Sequence, residues 1–364
     1  MADAPLKVFT DREYLPEGLG HCMMLKPFWG GTSDHDGYDR LVRTGPEFLR
    51  LAPAEGAEVA LLPFDGSHLI HDGKQGRPDP RLIAIAARFA ERASAAGLPT
   101  VVIVNSDSTR PIPIADAIVF RTSLDRRRRG DREFPMPAWH EDLVANHLGG
   151  EIRLRPREDV PSVGFCGLAA DSAPRLRRRV KMLARRAGRP LGLEIEHNDG
   201  IYLRREAMLA LEASGLVRTE FIVRSQFFGG AVEQPMDAEA RARIRSDFVS
   251  NLVDNDYALS ARGYGNFSFR FFEAMSVGRI PLLIDTDCVL PYEFLHDYRS
   301  LCVIVPEDEI RGIGRAVAGF HGRFSAGEYL DLQRRIREFW VEWLSPEGFF
   351  RHLPLHWRPR PAIG

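Results

Sequence analysis

Asp256–Pro291 reads D-Y-A-L-S-A-R-G-Y-G-N-F-S-F-R-F-F-E-A-M-S-V-G-R-I-P-L-L-I-D-T-D-C-V-L-P. Tyr257–Ser260 is short and apolar, as a buried strand is. Arg262–Asn266 carries two glycines and a cation, which predicts a loop. Ser268–Val277 predicts a helix that opens on a hydroxyl and holds Glu273 early. Arg279–Asp285 crosses a Gly-Arg-Ile-Pro turn into a second apolar strand that ends on acids.

Strand, glycine loop and helix N-terminus together make a place for phosphate, because glycines admit close backbone approach and the first helical N–H groups point outward. Arg262 and Arg270 add forked, charge-assisted donors. Glu273 has the chemistry to accept from both hydroxyls of a ribose. The competing reading is an ordinary βαβ turn, with Arg270 and Glu273 as a solvated i,i+3 pair, since a full dinucleotide fingerprint is absent.

The same alternation runs through the chain. Lys7–Thr10, Val59–Pro63, Thr100–Val104 and Ala117–Phe120 are apolar runs of strand length, and Arg81–Ala96 between them has helical spacing and stops at Gly97. Leu15–Gly45 is predicted as loop with short helical pieces, and Pro135–Trp139 as irregular. A charged, proline-bounded stretch, Glu151–Pro161, marks a boundary. Beyond it Ser162–Phe165, Glu220–Val223 and Leu301–Val305 predict strands, and Pro174–Ala187, Tyr202–Ser214 and Ala238–Asn251 predict helices. One amphipathic helix is predicted over Glu328–Leu344, followed by a proline-rich tail. The pattern is an α/β fold with two parallel sheets, one per half. Its expected units are residues 1–157, residues 158–325 and a terminal helix with tail over 326–364.

Composition narrows the function. The 364 residues suffice for two cores, and 44% hydrophobic with 27% charged content is globular. With 49 basic and 50 acidic residues the chain lacks the basic surplus of a nucleic-acid binder, so none is expected as a partner. Arginine clumps at Arg126–Arg129, Arg175–Arg179 and Arg185–Arg186 suit solvated faces, or else attraction to anionic headgroups or an acidic glycan. Four dispersed cysteines, Cys22, Cys166, Cys288 and Cys302, form no CxxC pair and fit a reducing compartment. The start M-A-D-A-P-L-K has no signal-peptide pattern, and no apolar run reaches transmembrane length. A cytoplasmic protein is expected, with peripheral attachment to the inner membrane face left open. Histidines show no zinc spacing, and Asp285-Thr286-Asp287 is expected as a polar strand end, so no metal is assigned.

Arg262, Gly263, Gly265, Ser268, Arg270, Glu273, Ala274, Gly278, Ile280, Pro281, Leu290 and Pro291 match the signature of the exostosin-type glycosyltransferases, glycosyltransferase family 47, which the stretch resembles. The close match covers about a tenth of the chain, and a looser likeness extends over most of the rest. Arg279 stands where the family usually has cysteine, as in a divergent bacterial member. The resemblance implies two Rossmann-like domains facing a cleft, the GT-B type of glycosyltransferase fold, with acceptor in the first and donor in the second. A C-terminal helix that crosses back to the first domain belongs to the same expectation. It implies inverting transfer without a metal cofactor, from a nucleotide sugar, a UDP-sugar first, to a hydroxyl of a lipopolysaccharide, capsule or exopolysaccharide, free or lipid-linked. The implied donor residues are Arg262, Gly263, Gly265, Asn266, Ser268, Arg270 and Glu273, with Gly167 and Arg224 at neighbouring strand ends. Asp65, then His68, is the expected base from the opposite domain. Alternatives on the same fold are a nucleotide-sugar epimerase or hydrolase, and a non-catalytic partner subunit of a glycosyltransferase pair; a homo- or hetero-oligomer is left open.

Overall fold

The computed structural model describes residues 4–30, 38–70, 78–170, 200–226 and 237–357. The basic helix expected over Pro174–Ala187 lies outside them. Strands β1 (Leu6–Phe9), β2 (Leu49–Leu51), β3 (Val59–Leu61), β4 (Thr100–Val104), β5 (Ile118–Arg121) and β6 (Glu133–Pro135) form one sheet in the order β2-β1-β3-β4-β5-β6. Strands β7 (Ser162–Leu168), β8 (Arg218–Arg224), β9 (Tyr257–Ser260), β10 (Ile280–Asp285) and β11 (Val303–Pro306) form the other, ordered β11-β10-β9-β7-β8. All pairings within both sheets are parallel. Each sheet therefore starts in the middle, steps to one side, then returns and runs the other way. That reversal puts a topological switch point between β1 and β3, and another between β7 and β9, where open α/β sheets bind ligands beyond the strands' carboxyl ends.

The central strands of both sheets are covered on two faces, which is why they are continuously apolar, whereas the edge strand β8 is partly exposed. On the first, Val101 and Ile103 face one core while Val102 and Val104 face another. The helices are α1 (Lys26–Trp29), α2 (Asp39–Phe48), α3 (Pro80–Ala95), α4 (Leu143–His147), α5 (Gly200–Ser214), α6 (Ala238–Val253), α7 (Phe269–Ser276), α8 (Ile313–His321), α9 (Ala326–Phe339) and α10 (Pro346–His352). Phe89 of α3 is wholly buried against the first sheet. On the second, α5 buries Leu203, Ala207 and Leu211 over the Tyr257 and Leu259 face, and α6 covers the Ala258 face with Val249, Leu252 and Val253.

Two expectations need correction. The irregular run expected over Pro135–Trp139 begins one residue later, because Pro135 closes the edge strand Glu133–Pro135, and an edge strand tolerates proline and needs only three residues of pairing. The helix over Glu328–Leu344 ends as α at Phe339 and continues as a π turn over Trp340–Leu344. A further helix then forms before any tail: Ser345 caps the Gly348 amide, and Pro346 at its first position has no N–H to lose. That helix, α10, places Phe349 and Phe350 in the core of the first sheet, where Tyr292 donates to the Phe349 carbonyl at 2.7 Å.

Among the described residues no helix is long and apolar enough to cross a membrane.

Candidate active site

The β7–β9 switch point is built from glycine and arginine. The ladder between β7 and β9 pairs only Val163 with Tyr257 and Gly164 with Ala258, so the strand ends beyond it part. Gly167 lies on the β7 side with φ +154°, and a Cβ there would stand 2.7 Å from Nη2 of Arg270. Arg270, in the first turn of α7, lies over the Phe165 ring at 4.1 Å and donates to the Cys166 carbonyl at 2.5 Å. Its Nε is buried without a partner. Burial disfavours the Arg270 cation, and Glu273 one turn later partly restores it. Ser268 caps α7 by position, yet its hydroxyl makes no cap bond.

Glu273 is 8% exposed and accepts from Arg245 at 3.3 Å. Arg245 in turn pairs with Glu141 at 2.6 Å. Burial works against the Glu141 charge, but Asn146, Arg245 and His147 outweigh it and hold the carboxyl at about 2. His140 stands beside this network with Nε2 buried and unpartnered, and burial pushes its pKa down. A ribose at Glu273 would share the carboxylate with Arg245. Arg224 reaches the same strand ends but spends its guanidinium on α6, at the Ile244 carbonyl (3.1 Å) and Asp247 (3.4 Å).

The glycine turn corrects the reading of it as an open phosphate cradle. The Gly265 amide donates to Asp107 at 3.1 Å, and the Asn266 amide to Ser123 Oγ at 2.9 Å. Asn266 Nδ2 donates to Asp125 at 2.5 Å and to the Thr286 carbonyl at 3.2 Å, while its Oδ1 accepts from the Thr286 hydroxyl at 2.6 Å. Arg262 bends back to the Tyr264 carbonyl at 2.8 Å. Gly263 is half-buried, and its amide faces the Phe267 carbonyl at 3.4 Å. Gly265 and Asn266 are therefore a joint between the two sheets, and their donors are already used. The Asp285-Thr286-Asp287 acids likewise serve turns and pairing: Asp285 accepts from the Asp287 and Cys288 amides, and Asp287 pairs with Arg127.

On the first sheet Asp65 follows β3. It accepts from the Ser67 amide at 2.8 Å and the Asn105 amide at 3.2 Å. Burial raises its pKa against those bonds. Gly66 beside it is required, since a Cβ would meet Val102 at 2.5 Å. His68 lies half-buried in the same turn. Asn105 touches Asp65, and Asp107 two residues on touches Gly265, so one short segment ties the carboxylate to the second sheet's turn.

No protein-family model matches the chain, and no curated protein matches it. Among solved structures it is similar to a mutant of S. aureus TarM in complex with fondaparinux, alpha-GlcNAc-glycerol and UDP, with 11% identity and a TM-score of 0.31 over 76% of this chain and 59% of that one. A second TarM structure gives 11%, 0.30, 76% and 58%. A glycosyltransferase from Rickettsia africae ESF-5 gives 9% and 0.34 over 88% of this chain and 87% of that one. The chain spans less than two thirds of the TarM structures. At these scores the likeness assigns neither fold nor activity.

The charge of these residues decides what they can do. Arg270 offers a half-buried guanidinium with a buried, unbonded Nε, close against Gly167, which suits an anion of phosphate shape. Asp65 is a carboxyl displaced toward neutral pH, which suits proton uptake. An open cavity of about 470 Å³ lies away from both, between Arg126 and the Leu290–Arg299 segment. Of its lining charges, Arg126 is already paired with Glu293 at 2.8 Å.

Proposed function

We propose that this chain is a glycosyltransferase that moves a sugar from a nucleotide-sugar donor, a UDP-sugar, to a hydroxyl of a surface glycan or lipid-linked glycan, with inversion. The observation that carries the reading is the Arg270–Gly167 pair at the β7–β9 switch point, a cation with an unused buried donor where a ligand diphosphate would lie. The exostosin-like signature supports it, since Ser268, Arg270 and Glu273 fall in that signature and on the switch-point helix. In this reading the acceptor oxygen attacks the anomeric carbon and the bond from that carbon to the diphosphate oxygen breaks. The nucleoside diphosphate leaves with the electron pair, and Arg270, the Ser268 hydroxyl and the first amides of α7 meet the charge that grows on it. Asp65 takes the acceptor's proton. Its raised pKa supports that role, and His68 is the neighbour that would replace it.

The test is product analysis by proton NMR. The protein is incubated with UDP-glucose, UDP-galactose or UDP-N-acetylglucosamine, with and without oligosaccharide acceptors. The reading expects acceptor-dependent release of UDP and a new linkage of inverted anomeric configuration. Donor turnover without acceptor would point instead to an epimerase or hydrolase, and a retained configuration would sink the single-displacement step.

A further inference from the structure

The same switch point holds a cation outside the signature. Arg204 lies on the first turns of α5, and its Nη1 donates to the carbonyl of Leu168, the last residue of β7, at 2.9 Å. Its Nη2 donates to the carbonyls of Ala261 and Arg262, the first two residues past β9, at 3.3 and 3.1 Å. One planar fork thus spans the gap left where the β7–β9 ladder stops at Gly164 and Ala258. The fit is close: a Cβ on Gly200, which opens α5, would lie 2.5 Å from the Arg262 carbonyl oxygen and 2.7 Å from that of Gly263. Arg204 Nε is buried without a partner. Burial and the neighbouring Arg270 charge both disfavour its charged form, and among the described residues no carboxylate offsets them. Two half-buried guanidiniums, each with a buried Nε, therefore repel each other across the place where two strand ends part. A residue kept only to bridge carbonyls would gain from a carboxylate nearby; an anion site needs that charge left uncompensated.

We propose that Arg204 is a positioning residue of the donor site: it holds the β7 and β9 ends at the spacing a diphosphate takes, and leaves with Arg270 an excess positive charge that the bound diphosphate neutralises. The inference rests on the donor-site reading above.

The test uses the full chain and two probes, UDP and inorganic pyrophosphate, with calorimetry for affinity and thermal unfolding for stability. Arg204→Gln removes both the bridge and the repulsion, so the unliganded melting temperature is expected to change little. Affinity for both probes should fall about tenfold or more, the equivalent of a charge-assisted contact. Arg204→Lys keeps charge without the fork and should recover part of the affinity. A lower unliganded melting temperature with unaltered probe affinity would mean a purely structural bridge and would overturn the proposal. Should Arg204→Gln fail to fold, Gly200→Ala decides. It displaces α5 from the turn while the cation remains, and weaker binding of both probes is expected, whereas unchanged binding overturns the proposal. Equal binding by wild type and Arg204→Gln would remove the role of Arg204 and leave the donor site standing. Failure of the wild type to bind either probe would overturn both.

Discussion

At the scale of single residues, the site depends on groups kept in states they would not choose in water. Asp65 is the clearest. Its folded pKa is raised by burial, so the protonated form favours the fold, and that stability is lost as pH rises through the folded value. Asp65→Asn keeps an acceptor for the Ser67 and Asn105 amides and removes the buried charge. Its melting temperature should exceed that of wild type near pH 8, and the gain should vanish near pH 4. Transfer should fall by about a hundredfold or more, as for loss of a general base. Unaltered turnover would exclude Asp65 as the base. Gly167→Ala makes the complementary case. Its φ of +154° and the 2.7 Å approach to Arg270 leave no room for a methyl group. Thermal unfolding should register a loss of about 1–3 kcal/mol. Arg270 must also leave the Phe165 ring, so UDP affinity should drop as well.

At the scale of elements, what was legible in the sequence was periodicity and punctuation. Thr100–Val104 and Tyr257–Ser260 could be read to the residue because each is a buried apolar run bounded by turn formers. Three-residue edge strands such as Leu49–Leu51 and Glu133–Pro135 carry too few residues for a pattern. Helix α10 was hidden at the head of a proline-rich stretch read as a tail, although Ser345-Pro346 is a start signal. In the site, Arg270 and Glu273 were legible because one motif carries both, while Arg204, Arg245 and Glu141 come from three separate elements that only the fold brings together. The glycine turn was misread for a physical reason: glycines that let a phosphate approach equally let another lobe approach, and Asp107 and Ser123 occupy those amides. Asn266→Ala therefore tests a joint. It leaves the Asp125 carboxylate and the Thr286 hydroxyl without their partner, and denaturant unfolding should show a loss of about 2 kcal/mol. Arg279 belongs to the same scale. Buried where the exostosin-type signature usually has cysteine, it donates to the carbonyls of Val253 and Arg153 and to Gln333, tying α6, the segment between the sheets and α9 together.

At the scale of the whole molecule, the inter-sheet segment is tied to the second sheet and to α9 through one carboxylate. Asp256 accepts from Ser162, from Arg155 of that segment and from Tyr329 of α9. Burial opposes its charge, yet the Ser162 bonds and Arg155 prevail and hold its pKa below the usual range. Such a carboxylate contributes stability above its unfolded value and loses it as pH falls through the folded one. Acid should therefore loosen the junction below about pH 4, and Asp256→Asn should flatten that part of the pH–stability curve measured by circular dichroism. At this scale the central claim is a location: a diphosphate sits at the β7–β9 switch point, against Arg270 and Gly167. Its most direct test is crystallographic density after soaking with UDP. The account predicts the diphosphate within hydrogen-bond reach of Arg270 and the Ser268 hydroxyl. Density only in the cavity beside Arg126, or a diphosphate bound away from Arg270, would contradict it.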